Sequence, residues 1–440
     1  MSDLAFSGYY HHFFPQENRK SPVKSRGFLL ILFPAVFLLL LISGCAGPLG
    51  KSRKKVPSEK EPVIRVALSD NFQSGNLAFQ GSYHLHLEEA TYVLNEKTGA
   101  FRVSFRNKQL VLKSSERYFS LNGPQKIFLK PANSESFFKI DNILYSGELE
   151  LLVKGDRLKL INILPLEKYL RGVVPAEIPA GEQDYWEAVR AQAVTARTYA
   201  LFHLEHPAAA DFDVFADTRD QVYEGEGRHR SLSDEAIAQT RGQTLTLNGR
   251  PVETLYHSTC GGILVEDGPG GTDGQPAAEY FRLDKTGDDY NCAVSPYFRW
   301  VEVRTVKDLL KRFSRWYKIP TINQNTWAQK GVQLQLRILE RSASGRIRKM
   351  ELSAGSYRRT ISGFTIRRFL ANSEGSPLPS TLFFMVRPTQ KKGTLYLVGA
   401  GFGHGRGMCQ WGALGMALHG KKYREILSFY YPKFQLTKLY

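Results

Sequence analysis

Between residues 63 and 162 apolar and polar positions alternate at strand length. Ile64-Arg65-Val66-Ala67-Leu68, Phe101-Arg102-Val103-Ser104-Phe105 and Leu149-Glu150-Leu151-Leu152-Val153 are separated by Gly, Asn, Lys and Asp turn positions, and no full-length helix is predicted among them. The period changes at Trp186. Trp186, Val189, Ala193, Ala196 and Ala200 recur at steps of three or four, which predicts a helix with an apolar stripe of mostly alanine that admits a close neighbour. On the same helix Gln192, Thr195 and Tyr199 line up and Arg190 and Arg197 follow each other at a spacing of seven, a row suited to the floor of a polar groove. Just ahead, Pro175 and Pro179 fix their own backbone and push Val174 and Ile178 towards extended conformations, so Glu177 is expected on a stiff, non-helical mount.

Further along, residues 231–240 read as a helix, and residues 244–247 with Asn248-Gly249 read as a strand and hairpin turn. The returning strand, 251–256, delivers His257-Ser258-Thr259-Cys260-Gly261-Gly262 at its end. Residues 297–398 alternate between types: a basic amphipathic helix at 306–316, a hairpin of 332–339 with 349–352, a short helix at 364–370, and a hairpin of 382–386 with 394–398. Two helices, 410–419 and 423–430, close the chain. The fold class is α+β: a mixed, β-rich scaffold with a central small-residue helix, a C-terminal helix pair and an elongated substrate groove.

The first 62 residues have a different character. Lys20, Lys24 and Arg26 precede an uncharged apolar run from Gly27 to Gly44, ending Ile42-Ser43-Gly44-Cys45, the order of a secretory signal. The ending is similar to the lipobox of bacterial lipoproteins, which makes Cys45 the candidate lipidation site and a membrane-bound exported lipoprotein the expected state. A single retained membrane span is the alternative. The expected organisation is a signal at 1–45, a flexible basic tether at 46–62, a β-rich part at 63–162 and a catalytic domain at 163–440. The net charge of +17 favours anionic envelope polymers and lipids as partners of an exported chain, and no helix-turn-helix or RNA-binding pattern supports nucleic acid.

Candidate chemistry is scattered along the chain. A lone Glu177 would ordinarily be a solvated charge. The loop Asp217-Thr218-Arg219-Asp220-Gln221-Val222-Tyr223-Glu224-Gly225 gathers acids, an amide and an aromatic that suit sugar hydroxyls, or form a turn. Cys260 and Cys292 bracket a Gly- and Asp-rich loop, and a disulfide is the simplest reading in an oxidising compartment. Gly399, Gly401, Gly403, Gly405 and Gly407 strip one side of the chain around His404, so that a polysaccharide or the Glu177 segment can lie close; no βαβ unit makes this a dinucleotide fingerprint.

Taken together, PLEKYLRGVVPAEIP followed by AVRAQAVTARTYAL, DTRDQVYEG, YHSTCGG and GFGHGRGMCQWGALGMA resemble, in order, the motifs of the SpoIID/LytB (stage II sporulation protein D-like) family. The resemblance implies a lytic transglycosylase that cuts the β-1,4 bond from N-acetylmuramic acid to N-acetylglucosamine in peptidoglycan, preferring strands already stripped of peptide by an amidase. Its catalytic glutamate maps onto Glu177. Arg197, Tyr199, Gln221, His257, His404 and Gln410 are the candidate substrate-binding residues. To act as an acid, Glu177 needs its pKa raised by an apolar pocket, for which Ile178, Trp186 and Tyr199 are candidates, against the opposing pull of a nearby helix N-terminus. No cofactor is required by this chemistry. Some family members hold zinc through Cys and His, and His257, Cys260 and Cys292 could supply three ligands. The LytB branch implies instead a non-catalytic, glycan-binding enhancer of a cell-wall amidase. A hydrolase with Asp217 or Asp220 as base is a third reading.

Overall fold

The computed structural model describes residues 60–440 apart from 88–89, 229, 268–278, 321–326, 328 and 391–392. The signal, Cys45 and nearly all of the tether therefore lie outside the described residues. The described part has mixed α and β structure, with sheets predominating.

Alternation at 63–162 yields two sheets. The larger has seven strands in the order Val214–Phe215, Val63–Phe72, Arg157–Pro165, Glu148–Lys154, Gln125–Pro131, Tyr83–Leu87 and Ala90–Leu94. Its pairings are antiparallel except that of Val214–Phe215 with Val63–Phe72. The smaller has six strands, and the inward residues of both sheets, among them Leu77, Phe101, Phe138 and Leu151, share one core. Among the described residues of 63–162 the helical content is a 3-10 turn, Glu96–Thr98.

Seven helices follow among the described residues: α1 (Leu166–Glu177), α2 (Trp186–Glu205), α3 (Ser231–Gln239), α4 (Val306–Trp316), α5 (Phe364–Phe369), α6 (Gln410–Leu418) and α7 (Tyr423–Tyr430). The alanine-rich α2 sits at the centre, in contact with α1, α3, α6 and α7. Ala188, Ala191, Ala193, Ala196 and Ala200 are all buried. Small side chains permit this all-round packing of backbones.

The expected boundary at 162 does not divide the core. It falls inside the strand Arg157–Pro165, and Ile64, Val66 and Leu149 pack in the same cluster as Leu166, Tyr169, Val173, Leu414 and Tyr430. The division lies instead within 163–440, where Trp300, Phe313, Met350, Phe369 and Leu397 build a second core. It is made by α4, α5 and two three-stranded sheets, Gln335–Arg341 with Ile347–Ala354 and Tyr357–Ser362, and Trp300–Thr305 with Thr394–Gly399 and Phe383–Val386.

The Asn248-Gly249 hairpin forms as its sequence predicts, both residues taking positive φ (53° and 76°). The returning strand does not run to Tyr256. Only Arg250–Pro251 pairs back, and Tyr256–His257 leaves to pair in parallel with Met408–Cys409. The glycine run lies along this departing segment. Gly401, Gly403, Gly405 and Gly407 all have positive φ, and a side chain on Gly407 would overlap the Leu255 carbonyl oxygen. Their shared feature is therefore left-handed backbone, beside residues 255–260 at Gly401, Gly403 and Gly407 and beside the Arg346 guanidinium at Gly405, rather than room for the Glu177 segment.

Candidate active site

Glu177 is the last residue of a helix, not part of an extended mount. Leu166, Tyr169, Leu170, Val173 and Val174 recur at helical steps and are buried, and this packing keeps Val174 helical in spite of the proline that follows. Pro175 fits because its fixed φ is helical and it forgoes a single bond in the final turn. Ile178 is where the proline rule takes effect: ahead of Pro179 it adopts φ −136° and ψ 144° and stops α1.

Three donors converge on the Glu177 carboxylate. Oε1 accepts from the Val222 backbone N–H at 2.8 Å, Oε2 accepts from Gln410 Nε2 at 3.3 Å, and the Tyr256 side chain is a third hydrogen-bond partner. The residue as a whole is half-buried, and its carboxyl is densely enclosed by protein. Burial raises its pKa, and the bonds from Val222, Gln410 and Tyr256 offset only part of that rise. Two helix ends also bear on it. Its own position at the C-terminus of α1 disfavours the anion, while the helix N-terminus nearby is that of α6, which opens at Gln410, and this one favours the anion.

Three tyrosines stand close enough to feel the carboxylate, the expected Tyr199 among them. Tyr169, Tyr199 and Tyr256 have phenol pKa values raised first by burial and further by the Glu177 charge, among other acids. Tyr256 was not among the predicted site residues, although it heads the YHSTCGG motif. It is placed by the strand pairing Tyr256 to Met408 and His257 to Cys409, which brings Tyr256 and Gln410 together on neighbouring strand ends.

The loop 217–225 braces this arrangement from the other side. Gln221 is fully buried, accepting from the Tyr169 hydroxyl at 3.2 Å and donating to the Tyr256 hydroxyl at 3.1 Å and the Ala196 carbonyl at 3.3 Å. It orients Tyr256 rather than facing a ligand. Tyr223 donates to Asn162 Oδ1 at 2.9 Å, tying the loop to the large sheet. Tyr199 donates to Asp220 Oδ1 at 2.7 Å, and Asp220 Oδ2 accepts from the Phe215 N–H at 2.7 Å. Asp217 is gripped by Arg219, which lowers its pKa. Both acids are committed to holding the loop.

Arg197 is not a groove residue. Its side chain has no exposed surface and forms a two-pronged ion pair with Glu167 at 2.7 and 2.8 Å, with further bonds to Ile237, Thr240 and Gln243. The pair locks the first turn of α1 to the middle of α2. A polar stripe on a helix packed on all sides faces protein, not solvent.

The two histidines do come together, with ring centroids 5.3 Å apart. His257 is buried, its Nδ1 paired with the Arg406 carbonyl at 2.9 Å, while Nε2 has no hydrogen-bond partner among the described residues. Burial, with help from His404 and Arg346, drives its pKa well below the ordinary value. His404 is exposed at the surface, yet the dense protein around its ring, opposed by the bond to the Tyr256 carbonyl and helped by Arg346, Arg406 and Arg367, pushes its pKa down to about 4. Its Nε2 pairs with the Tyr256 carbonyl at 3.0 Å and its Nδ1 accepts from the Arg406 N–H at 3.1 Å. Both rings are therefore neutral at physiological pH.

Cys260 and Cys292 are close but not bonded. Their sulfurs lie 3.4 Å apart, against about 2.05 Å in a disulfide. His257 is not grouped with them. Asp284 and Cys409 are, and no sequence signal marked either as a neighbour of the pair.

Comparison with known proteins agrees with this architecture. Residues 154–247 match the family model for stage II sporulation protein (SpoIID), and residues 276–407, which include the second core, match a domain of unknown function (DUF8618). An uncharacterized protein of Brachyspira hyodysenteriae is 29% identical over 300 residues, covering 67% of this chain and 72% of that protein. Stage II sporulation protein D of Bacillus subtilis is 28% identical over 292 residues, covering 62% of this chain and 75% of that protein. The amidase enhancer of Bacillus subtilis is 27% identical over 303 residues, covering 61% of this chain but only 40% of the enhancer's length. With the SpoIID motifs gathered around Glu177, the match of residues 154–247 and the similarity to stage II sporulation protein D and the amidase enhancer support the SpoIID/LytB family for this chain.

Proposed function

We propose that the protein is a peptidoglycan lytic transglycosylase in which Glu177 serves in turn as acid and base. The observation that carries the proposal is the setting of Glu177: a carboxyl whose pKa is raised by burial, with three neutral hydrogen-bond partners in place. Protonated Glu177 donates to the glycosidic oxygen as its bond to the muramoyl C1 breaks. The muramoyl 6-hydroxyl then attacks C1 and gives its proton to the Glu177 carboxylate, which forms the 1,6-anhydro ring and restores the acid. Between the two steps the carboxylate is held by Val222, Gln410 and Tyr256. No second carboxylate is needed, and the two candidates on the loop 217–225, Asp217 and Asp220, are bound to Arg219 and to Tyr199. That favours a transglycosylase over a two-carboxylate hydrolase.

The resemblance adds amidase-denuded glycan as the preferred substrate, and the signal at 1–45 with Cys45 adds a lipid tether in the cell envelope. Similarity to an amidase enhancer favours a second reading, in which the chain binds glycan and stimulates an amidase without cutting. The test is to incubate the chain from Ala46 onward, and its Glu177→Gln variant, with intact and amidase-denuded peptidoglycan, and to analyse released fragments by mass spectrometry. Anhydro-muramoyl ends that vanish in the variant are the expected result. Reducing ends would point to hydrolysis. No cleavage, with glycan binding retained and amidase activity increased, would establish the enhancer.

A further inference from the structure

Cys260, Asp284, Cys292 and Cys409 each present one ligand atom so that all four lie within 4.8 Å of one another, and all four residues are buried. We propose that they bind a single structural zinc ion, a site of three sulfurs and one carboxylate oxygen. The set closes a tetrahedron with no position left open, as structural zinc sites do. Sulfur-rich, four-coordinate sites also select zinc over the hard cations that oxygen ligands favour.

The surroundings are built for such an ion. Asp284 Oδ1 accepts from Asn291 Nδ2 and from the Tyr430 hydroxyl, each at 2.9 Å, which turns Oδ2 towards Cys260 Sγ at 3.0 Å. Backbone N–H groups point at the sulfurs: Cys260 N–H at Cys409 Sγ (3.2 Å), Gly262 N–H at Cys260 Sγ (3.3 Å) and Gly412 N–H at Cys409 Sγ (3.3 Å). Bonds of this kind orient metal ligands and accept part of the thiolate charge. Gly412 also clears the approach, since a Cβ there would sit 2.5 Å from Asp284 Oδ2. Among the described residues the side-chain hydrogen-bond partners of Asp284 are all neutral, so they do not balance the charge of the buried carboxylate. A disulfide would use two of the sulfurs and leave the third and the carboxylate unexplained.

The ligands come from four separate segments: the end of YHSTCGG, the residue after the strand Glu279–Leu283, the turn Asn291–Val294, and the residue that caps α6. Cys260 and Cys409 flank the paired strand ends that carry Tyr256 and Gln410. An ion joining them would fix the distance between two of the groups that reach Glu177. The site thus links a structural metal to the geometry around Glu177, and it stands whether the chain cuts glycan or stimulates an amidase.

The experiment uses the full chain purified in detergent, with Cys45→Ser so that only the three cluster thiols remain. Elemental analysis should give about one zinc per chain, lost in Cys292→Ser and in Asp284→Ala. The thiols should resist a disulfide-exchange reagent until a mercurial or strong chelator removes the metal, and that removal should lower Tm. If those variants fail to fold, replacement of zinc by cobalt in the otherwise unaltered chain decides: thiolate-to-cobalt charge transfer with tetrahedral ligand-field bands is expected. A Cys260–Cys292 disulfide in peptide mapping would overturn the proposal. So would three reduced thiols with no bound zinc after reductive refolding in its presence, or cobalt bands of an octahedral oxygen site.

Discussion

Replacing Arg197 with methionine separates a scaffold role from a substrate role. The guanidinium is fully buried, and it spends two prongs on Glu167 at 2.7 and 2.8 Å and its other donors on Ile237, Thr240 and Gln243. Methionine keeps much of the volume but leaves Glu167 a buried carboxylate with Tyr440 as its remaining side-chain partner. Removing one member of a buried ion pair costs about 3–5 kcal/mol. An unfolding entropy of about 2.1 cal/mol/K per residue, over the roughly 360 described residues, is about 0.8 kcal/mol/K, so Tm should fall by about 4–6 °C. The Glu167→Gln/Arg197→Met double variant should lose less than the sum of the single losses. Acid supplies a second check. Burial alone would raise the Glu167 pKa, but Arg197, helped by Tyr440 and Arg241, more than offsets it and the net shift is downward. The pair's stabilisation is therefore complete above the ordinary carboxylate pKa and lost as pH falls through the lower native value, so wild type and variant should converge in acid. Thermal melts across pH, beside a glycan-binding assay, measure both. A Tm within about 1 °C of wild type, with weakened glycan binding, would refute the scaffold assignment.

Other outcomes follow from the same geometry. Glu177→Gln should raise Tm in neutral and alkaline buffer: the raised pKa means wild type loses stability as pH climbs through it, and the two proteins should coincide below about pH 4 in a pH series of melts. Tyr256→Phe removes a bond that lowers the Glu177 pKa, so the alkaline limb of the pH–rate profile, where the protonated acid is lost, should move to higher pH. Asp217→Asn and Asp220→Asn should each leave the turnover rate within about tenfold of wild type in a fragment-release assay, because both acids hold the loop rather than reach a substrate. Gly415→Ala should destabilise by about 1–3 kcal/mol in denaturant melts, or abolish soluble expression, because a Cβ there would overlap the Asn291 carbonyl oxygen.

Local physics made much of the fold legible. Alternation marked the strands of residues 63–162, an amphipathic period fixed α4 at Val306–Trp316, and Asn248-Gly249 announced its own turn, because each depends on residues a few positions apart. The motif strings likewise singled out Glu177 before any fold was known. What the sequence could not determine was which groups meet. Val222 and Gln410 reach Glu177 across separations of 45 and 233 residues, and Cys260 meets Asp284, Cys292 and Cys409 across 24, 32 and 149. Nor could the period of α2 show that Arg197 faces Glu167, since a helix packed on several sides buries polar positions as readily as apolar ones when partners wait in the core. Even Pro175 misled in isolation: the restriction it places on Val174 was overridden by the burial of that side chain, while the same restriction at Ile178, ahead of Pro179, ended the helix and set Glu177 at its tip. Short-range preference named the elements and the family resemblance marked Glu177; long-range packing chose the neighbours of Glu177, because burial and hydrogen-bond completion are properties of the assembled core.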